Sequence, residues 1–77
     1  MQPTEDEILQ RIGATLAGER ARRRLTQADV ASHTGMSTTQ IARMERGATD
    51  TGVTKYVLAS WAIGLDPKEL LEGLEAP

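Results

Sequence analysis

The sequence contains no cysteine and no phenylalanine, and it has one histidine, one tryptophan and one tyrosine in 77 residues. Without cysteine, neither a disulfide framework nor a thiolate metal site can form. His33 has no second imidazole with which to share a metal ion. No apolar run approaches the ~20 residues that cross a bilayer, and the first residues, "MQPTEDE", are acidic, unlike a secretory signal. We therefore expect no metal, no cofactor, no membrane segment and a cytoplasmic location.

The length predicts one domain, because 77 residues are near the size at which a single core folds unaided. We assign this domain to residues 1–77, with its core at about 5–74. The chain also lacks the parts of an enzyme, since it has one unpartnered histidine, no phosphate-binding glycine loop and little room for an enclosed pocket. We expect a protein that is not an enzyme.

The formal net charge of −2 disfavours a nucleic-acid partner at first, because such partners are polyanions. The charges are unevenly distributed, however. Residues 1–10 carry a net −3 and residues 56–77 another −3, whereas residues 11–55 hold eight basic and four acidic side chains, a net +4. The basic centre is therefore compatible with a polyanionic partner.

Capping residues and glycines divide the chain into five predicted helices, so the fold class is all-α. Thr4 with Glu7, and Ser37 with Gln40, have the spacing of capping boxes, and Thr26 caps another helix. The predicted helices span about 5–23, 27–34 and 38–45, then a fourth helix that ends at Gly64 and a last one that begins after Asp66 and extends to Leu74.

The segment "TQADVASHTGMSTTQIARMERG" places two helix starts on either side of Gly35. Two helices joined by a tight turn that contains glycine form a helix-turn-helix, whose second helix can enter the major groove of DNA. The second helix, at 38–45, has Ile41 and Met44 for packing. Its first turn carries short hydroxyl and amide side chains, which suit base edges better than they suit a core.

The stretch "LTQADVASHTGMSTTQIARMERG" resembles the helix-turn-helix of the lambda-repressor and Cro superfamily, the xenobiotic-response-element type of bacterial and phage regulators. The resemblance covers roughly residues 8–74 and includes Gln27, Ala31, Gly35 and Glu45. It implies a compact five-helix domain, with the helix-turn-helix at about 27–46. It also implies a sequence-specific, double-stranded DNA-binding regulator of transcription, which we expect to be a repressor and to associate with the nucleoid.

The resemblance also implies roles for individual residues. The positions that would contact bases are Thr38, Thr39 and Arg43. The positions that would contact phosphates are Gln27, Ser37, Gln40, Arg46 and Lys55. An ion pair between Arg20 and Glu45 would join the first helix to the reading helix.

Self-association through the last two helices is expected, because many relatives use this surface. The predicted contacts of a homodimer on an inverted repeat are Trp61, Leu70, Leu71 and Leu74. An alternative remains open: an antitoxin-like or adaptor protein could hold a protein partner through the acidic carboxyl-terminal helix "DPKELLEGLEAP", with DNA binding secondary.

Overall fold

The structure is a computed structural model that describes residues 3–76. Its elements are α1 (Glu5–Arg22), α2 (Gln27–Thr34), α3 (Thr38–Arg46), α4 (Val53–Ala62) and a 3-10 helix (Pro67–Leu71). Within the described range no residue is in a strand, which confirms the all-α class. None of the helices found there has the length and apolar character needed to cross a membrane. Residues 1, 2 and 77, which belong to the predicted domain, lie outside the described residues.

Side-chain caps fix the amino ends of the first three helices. Thr4 Oγ1 accepts a hydrogen bond from the Glu7 backbone N–H at 3.2 Å, and Ser37 Oγ accepts one from Gln40 N–H at 3.0 Å. At α2 the capping box is complete, because Thr26 Oγ1 accepts from Asp29 N–H while Asp29 Oδ2 accepts from Thr26 N–H. Each bond satisfies a backbone donor that has no partner within its helix.

The last element differs from the predicted fifth helix. It is a 3-10 helix that ends at Leu71, so Leu74 lies beyond it. Asp66 Oδ1 accepts from the Lys68 N–H, and Gly73 has a φ of 85°. Only five residues lie between Pro67 and Gly73, where the chain turns. A segment this short forms the i to i+3 hydrogen bonds of a 3-10 helix and does not extend into an α-helix.

The core lies where α1, α2, α3, α4 and the 3-10 helix meet. Ile41 and Met44 of α3 are fully buried, as the spacing of apolar residues in that helix predicts. Tyr56 is also buried, and its hydroxyl donates to the Thr49 carbonyl at 3.2 Å. The other buried apolar side chains are Leu16, Val30, Ala31, Ala59, Ile63, Leu65 and Leu70.

Two glycines allow α1 and α3 to touch through their backbones. A Cβ atom at Gly13 would collide with the Met44 carbonyl oxygen and would lie 2.6 Å from that of Glu45. At Gly47, which ends α3 with a φ of 67°, a Cβ atom would lie 2.6 Å from Gln10 Cα. Gly13 is therefore a contact that positions α3 against α1.

Candidate nucleic-acid interface

The turn between α2 and α3 is short and depends on one left-handed glycine. Gly35 has a φ of 78° and donates its N–H to the Ala31 carbonyl at 3.0 Å, which ends α2. Thr34 Oγ1 accepts from the Met36 N–H at 3.2 Å, and Ser37 then caps α3. Three residues, 35–37, therefore connect the two helices, and α3 packs against both α1 and α2.

One side of α3 is buried and the other is polar and exposed. Ile41, Met44 and Glu45 are buried. Residues spaced by four and three positions share a helix face, so Thr39, Arg43 and Arg46 lie on one side of α3. The exposed side chains of α3 and its cap are Ser37, Thr38, Thr39, Arg43 and Arg46, while Gln40 is half-buried.

A polar network under α3 joins three helices. Arg20 Nε donates to Glu45 Oε2 at 2.6 Å and Arg20 Nη2 donates to Glu45 Oε1 at 3.0 Å. Gln27 Nε2 donates to the same Oε1 at 2.9 Å, and Arg20 Nη1 donates to the Leu25 carbonyl at 2.7 Å. The Arg20 and Glu45 side chains are only 17% and 5% exposed. Such a bidentate, largely desolvated pair fixes the orientation of both helices.

The network also accounts for the electrostatics of Arg20. Its hydrogen bond with Glu45 raises the pKa of the guanidinium above the ordinary value, against the opposing effect of burial. Arg20 is therefore charged at every physiological pH, and Glu45 is held as its partner. The bond from Gln27 to Glu45 was not foreseen, because 18 residues separate the two and no local pattern links them.

Gln27 lies at the amino end of α2 with one amide hydrogen committed to Glu45. A glutamine amide carries two hydrogens, so one remains for a phosphate. Lys55 is exposed in the first turn of α4, on a different element from the other predicted phosphate contacts. Of the arginines that end α1, Arg22 and Arg23 both pair with Glu19, at 3.2 and 3.0 Å.

The predicted dimer surface is only partly exposed. Trp61 on α4 is 65% exposed and Leu71 is 57% exposed, while Leu74 is half-buried. Leu70 is 3% exposed and belongs to the protomer's own core, so its assignment to a dimer surface is wrong. Consecutive residues of a helical segment point in different directions, so Leu70 lies in the core while its neighbour Leu71 is exposed.

The tight glycine turn between α2 and α3, with an amphipathic second helix, defines a helix-turn-helix protein. A family model described as "Helix-turn-helix domain" matches residues 11–72, most of the chain, and this protein belongs to that family. No curated protein matches the chain.

Solved structures share the fold. The restriction-modification controller protein C.AhdI from Aeromonas hydrophila is 24% identical, with a TM-score of 0.76 over 80% of this chain and 94% of its own. The clp gene regulator ClgR from C. glutamicum is 21% identical, with a TM-score of 0.79 over 91% of this chain and 87% of its own. A transcriptional regulator from Vibrio cholerae is 19% identical, with a TM-score of 0.80 over 88% of this chain but 38% of its own. At these identities the likeness establishes the fold alone.

Proposed function

We propose that this protein is a sequence-specific regulator that binds double-stranded DNA and reads the major groove with α3. The observation that carries the proposal is the polar, exposed side of α3, which lies opposite its buried Ile41 and Met44. The ion pair between Arg20 and the buried Glu45 supports the proposal, because it holds α3 against α1 with its polar side facing solvent. An enzyme is disfavoured by the inventory of side chains, and no cofactor is required.

Three side chains read bases in this proposal. Arg43 donates both ends of its guanidinium to O6 and N7 of one guanine, which is worth about 1–3 kcal/mol of discrimination. Thr38 and Thr39 offer hydroxyls to base edges and methyl groups to thymine. All three are exposed in the first two turns of α3.

Phosphate contacts set the position of the protein on the duplex. Helix amino ends favour anions, which supports Gln27 at α2 and Ser37 at α3. Gln40, Arg46 and Lys55 complete the set in this proposal. Because few cations are involved, the dependence of affinity on salt should be shallow, and removal of one should lower its slope by about 1.

The protein acts as a homodimer on an inverted repeat, with half-sites about one helical turn, ~10 bp, or a multiple of it apart. Trp61 supports this part of the proposal, because it is a large apolar side chain that is 65% exposed and therefore available to a second copy. Leu71 and Leu74 extend the surface. Sedimentation tests it: Trp61→Ala should sediment as a monomer, Leu58→Ala should not, and a Trp61→Ala protein of unchanged mass would contradict it.

We propose repression as the regulatory effect, since a bound dimer obstructs a promoter. A nucleoid-associated, cytoplasmic location follows from DNA binding. A second candidate, a protein partner held in the manner of an antitoxin or adaptor, is favoured by the acidic and apolar surface around the 3-10 helix. That surface cannot be an amphipathic carboxyl-terminal α-helix, because the 3-10 helix ends at Leu71.

Arg43→Ala and Arg46→Ala form a matched test of the reading helix, because both remove one exposed guanidinium from α3. Arg43→Ala should weaken the best site and relax the preference at one base pair, whereas Arg46→Ala should weaken all sequences alike. Binding of a panel of single-base variants of the best site at one salt concentration measures both. A uniform loss in both variants would contradict the assignment of Arg43.

A further inference from the structure

An open apolar groove of about 540 Å³ runs between the first turns of α1, the start of α4 and the 3-10 helix. Its apolar lining includes Ile8, Leu9, Ile12, Val53, Val57 and Leu71. None of the side chains proposed to contact DNA lines this groove, and neither does Trp61. The groove is therefore a separate feature from the reading helix and from the tryptophan.

Three apolar side chains at the rim of the groove are exposed to solvent. Val53 is 73% exposed, Leu71 is 57% exposed and Ile8 is 37% exposed. Clustered exposed apolar side chains mark binding surfaces in soluble proteins. Because these three residues are the most exposed apolar part of the lining, an extended occupant would cover more of them than a small enclosed ligand could.

The charges around the groove are predominantly acidic. Glu5 and Asp50 line it together with one cation, Lys68, whose ammonium lies 3.8 Å from the Asp66 carboxylate. Burial, and then the charge of Asp50, raise the pKa of Tyr56, which lines the same groove as Asp50. An occupant that brought further carboxylates would be repelled, and one that brought cations would be attracted.

We propose that the groove binds an amphipathic helix of another protein, with apolar residues at positions i, i+3, i+4 and i+7 and lysines or arginines beside them. An apolar helix face in a groove is a recurring mode of recognition, and the acidic rim selects the basic flanks. This inference deepens the second candidate function and is independent of DNA reading.

A second copy of this chain fits the groove less well. Its exposed apolar residues on α4 are Val53, Leu58 and Trp61, and Lys55 is the single cation of that helix. At the basic end of α1, Arg22 and Arg23 are already paired with Glu19 and are less available to the acidic rim of the groove. An anionic membrane is disfavoured by the same carboxylates at the rim.

The test uses two fluorescein-labelled model peptides of about 15 residues, with leucines at the same helical positions and either lysine or glutamate at the others. Fluorescence anisotropy is measured with the full chain at an ionic strength of about 0.15 M. The lysine peptide should bind saturably, and the glutamate peptide at least about tenfold more weakly. Equal affinities, or no saturable binding of the lysine peptide, would overturn the proposal.

Matched variants locate the binding. Val53→Gln should weaken the lysine peptide about tenfold, whereas Leu58→Gln, on the same helix but outside the groove, should leave it within about twofold. Glu5→Gln with Asp50→Asn should reduce the preference for the lysine peptide more than Glu72→Gln with Glu75→Gln, which removes the same charge elsewhere. Equal effects within either pair would refute the groove as the site.

The DNA assay separates the two proposals. Val53→Gln should bind a selected duplex as the unmodified protein does, because Val53 is neither a proposed DNA contact nor part of the proposed dimer surface. If the unmodified protein selects no duplex but the peptide pattern holds, the DNA proposal fails and the groove survives. If DNA is selected and the peptides bind alike, the groove proposal alone is wrong.

Discussion

Gly13→Ala should destabilise the protein although alanine is the better helix former. Gly13 lies in the middle of α1, where alanine is worth about 1 kcal/mol more than glycine. The new Cβ would lie 2.6 Å from the Glu45 carbonyl oxygen and 2.8 Å from its carbon, and it would overlap the Met44 oxygen. These neighbours are backbone atoms of α3, so no side-chain rotation can relieve the overlap.

The magnitude follows from the two opposing terms. Overpacking a well-packed core costs about 1–3 kcal/mol, and the upper end applies here because two helix backbones must separate. After the gain of about 1 kcal/mol in helix propensity, the free energy of unfolding should fall by roughly 2 kcal/mol. For a domain of this size that lowers Tm by about 8–16 °C.

Gly18→Ala is the matched control in the same helix. A Cβ at Gly18 would have no neighbour within 4 Å, so only the helix propensity changes. The free energy of unfolding should rise by about 0.5–1 kcal/mol. Urea unfolding followed by circular dichroism measures both variants, and a Gly13→Ala protein as stable as Gly18→Ala would refute the close packing of α1 on α3.

The remaining predictions concern single residues. Glu45→Ala leaves the Arg20 guanidinium without its partner and should cost about 3 kcal/mol of unfolding free energy in urea melts, against less than about 1 kcal/mol for the exposed Glu75→Ala; equal losses would contradict the network. Arg24 has a φ of 59°, so Arg24→Gly should raise the free energy of unfolding by up to about 1 kcal/mol. Arg22→Gly, within α1, should lower it, and a loss of stability in both variants would argue against strain at Arg24. Hydrogen bonds from Thr26 lower the pKa of Asp29 in the folded protein. The stabilisation that ionised Asp29 contributes is therefore fully present above the unfolded-state pKa of about 3.9 and is lost as the pH falls through the lower folded-state pKa. Urea midpoints against pH should therefore show a smaller acid loss in Asp29→Asn, and parallel curves would contradict this.

Local signals predicted the helices well, and non-local contacts were the part that they missed. Thr26 and Gly35 mark the two ends of α2 through a cap and a left-handed exit, both of which depend on a few neighbouring residues. The close approach at Gly13 depends on where α3 lies in space. Nothing in the sequence around Gly13 distinguishes it from Gly18, although their structural roles are opposite.

The candidate site shows the same division. The i, i+3 spacing of Ile41 and Met44 along α3 was sufficient to predict that Ile41 is buried and that Arg43 is exposed. The inward position of Leu70 was not predictable in this way, because it depends on how the segment after Pro67 packs against α1 and α4. The bond from Gln27 to Glu45 likewise depends on the packing of α2 against α3.

Selection from a random pool of DNA duplexes, at one stated salt concentration, tests the central claim most directly. The purified protein is first shown to be folded by circular dichroism, and the retained duplexes are then sequenced. We expect an enriched inverted repeat with half-sites about 10 bp, or a multiple of it, apart. No enriched sequence from a folded protein would contradict the claim that α3 reads DNA.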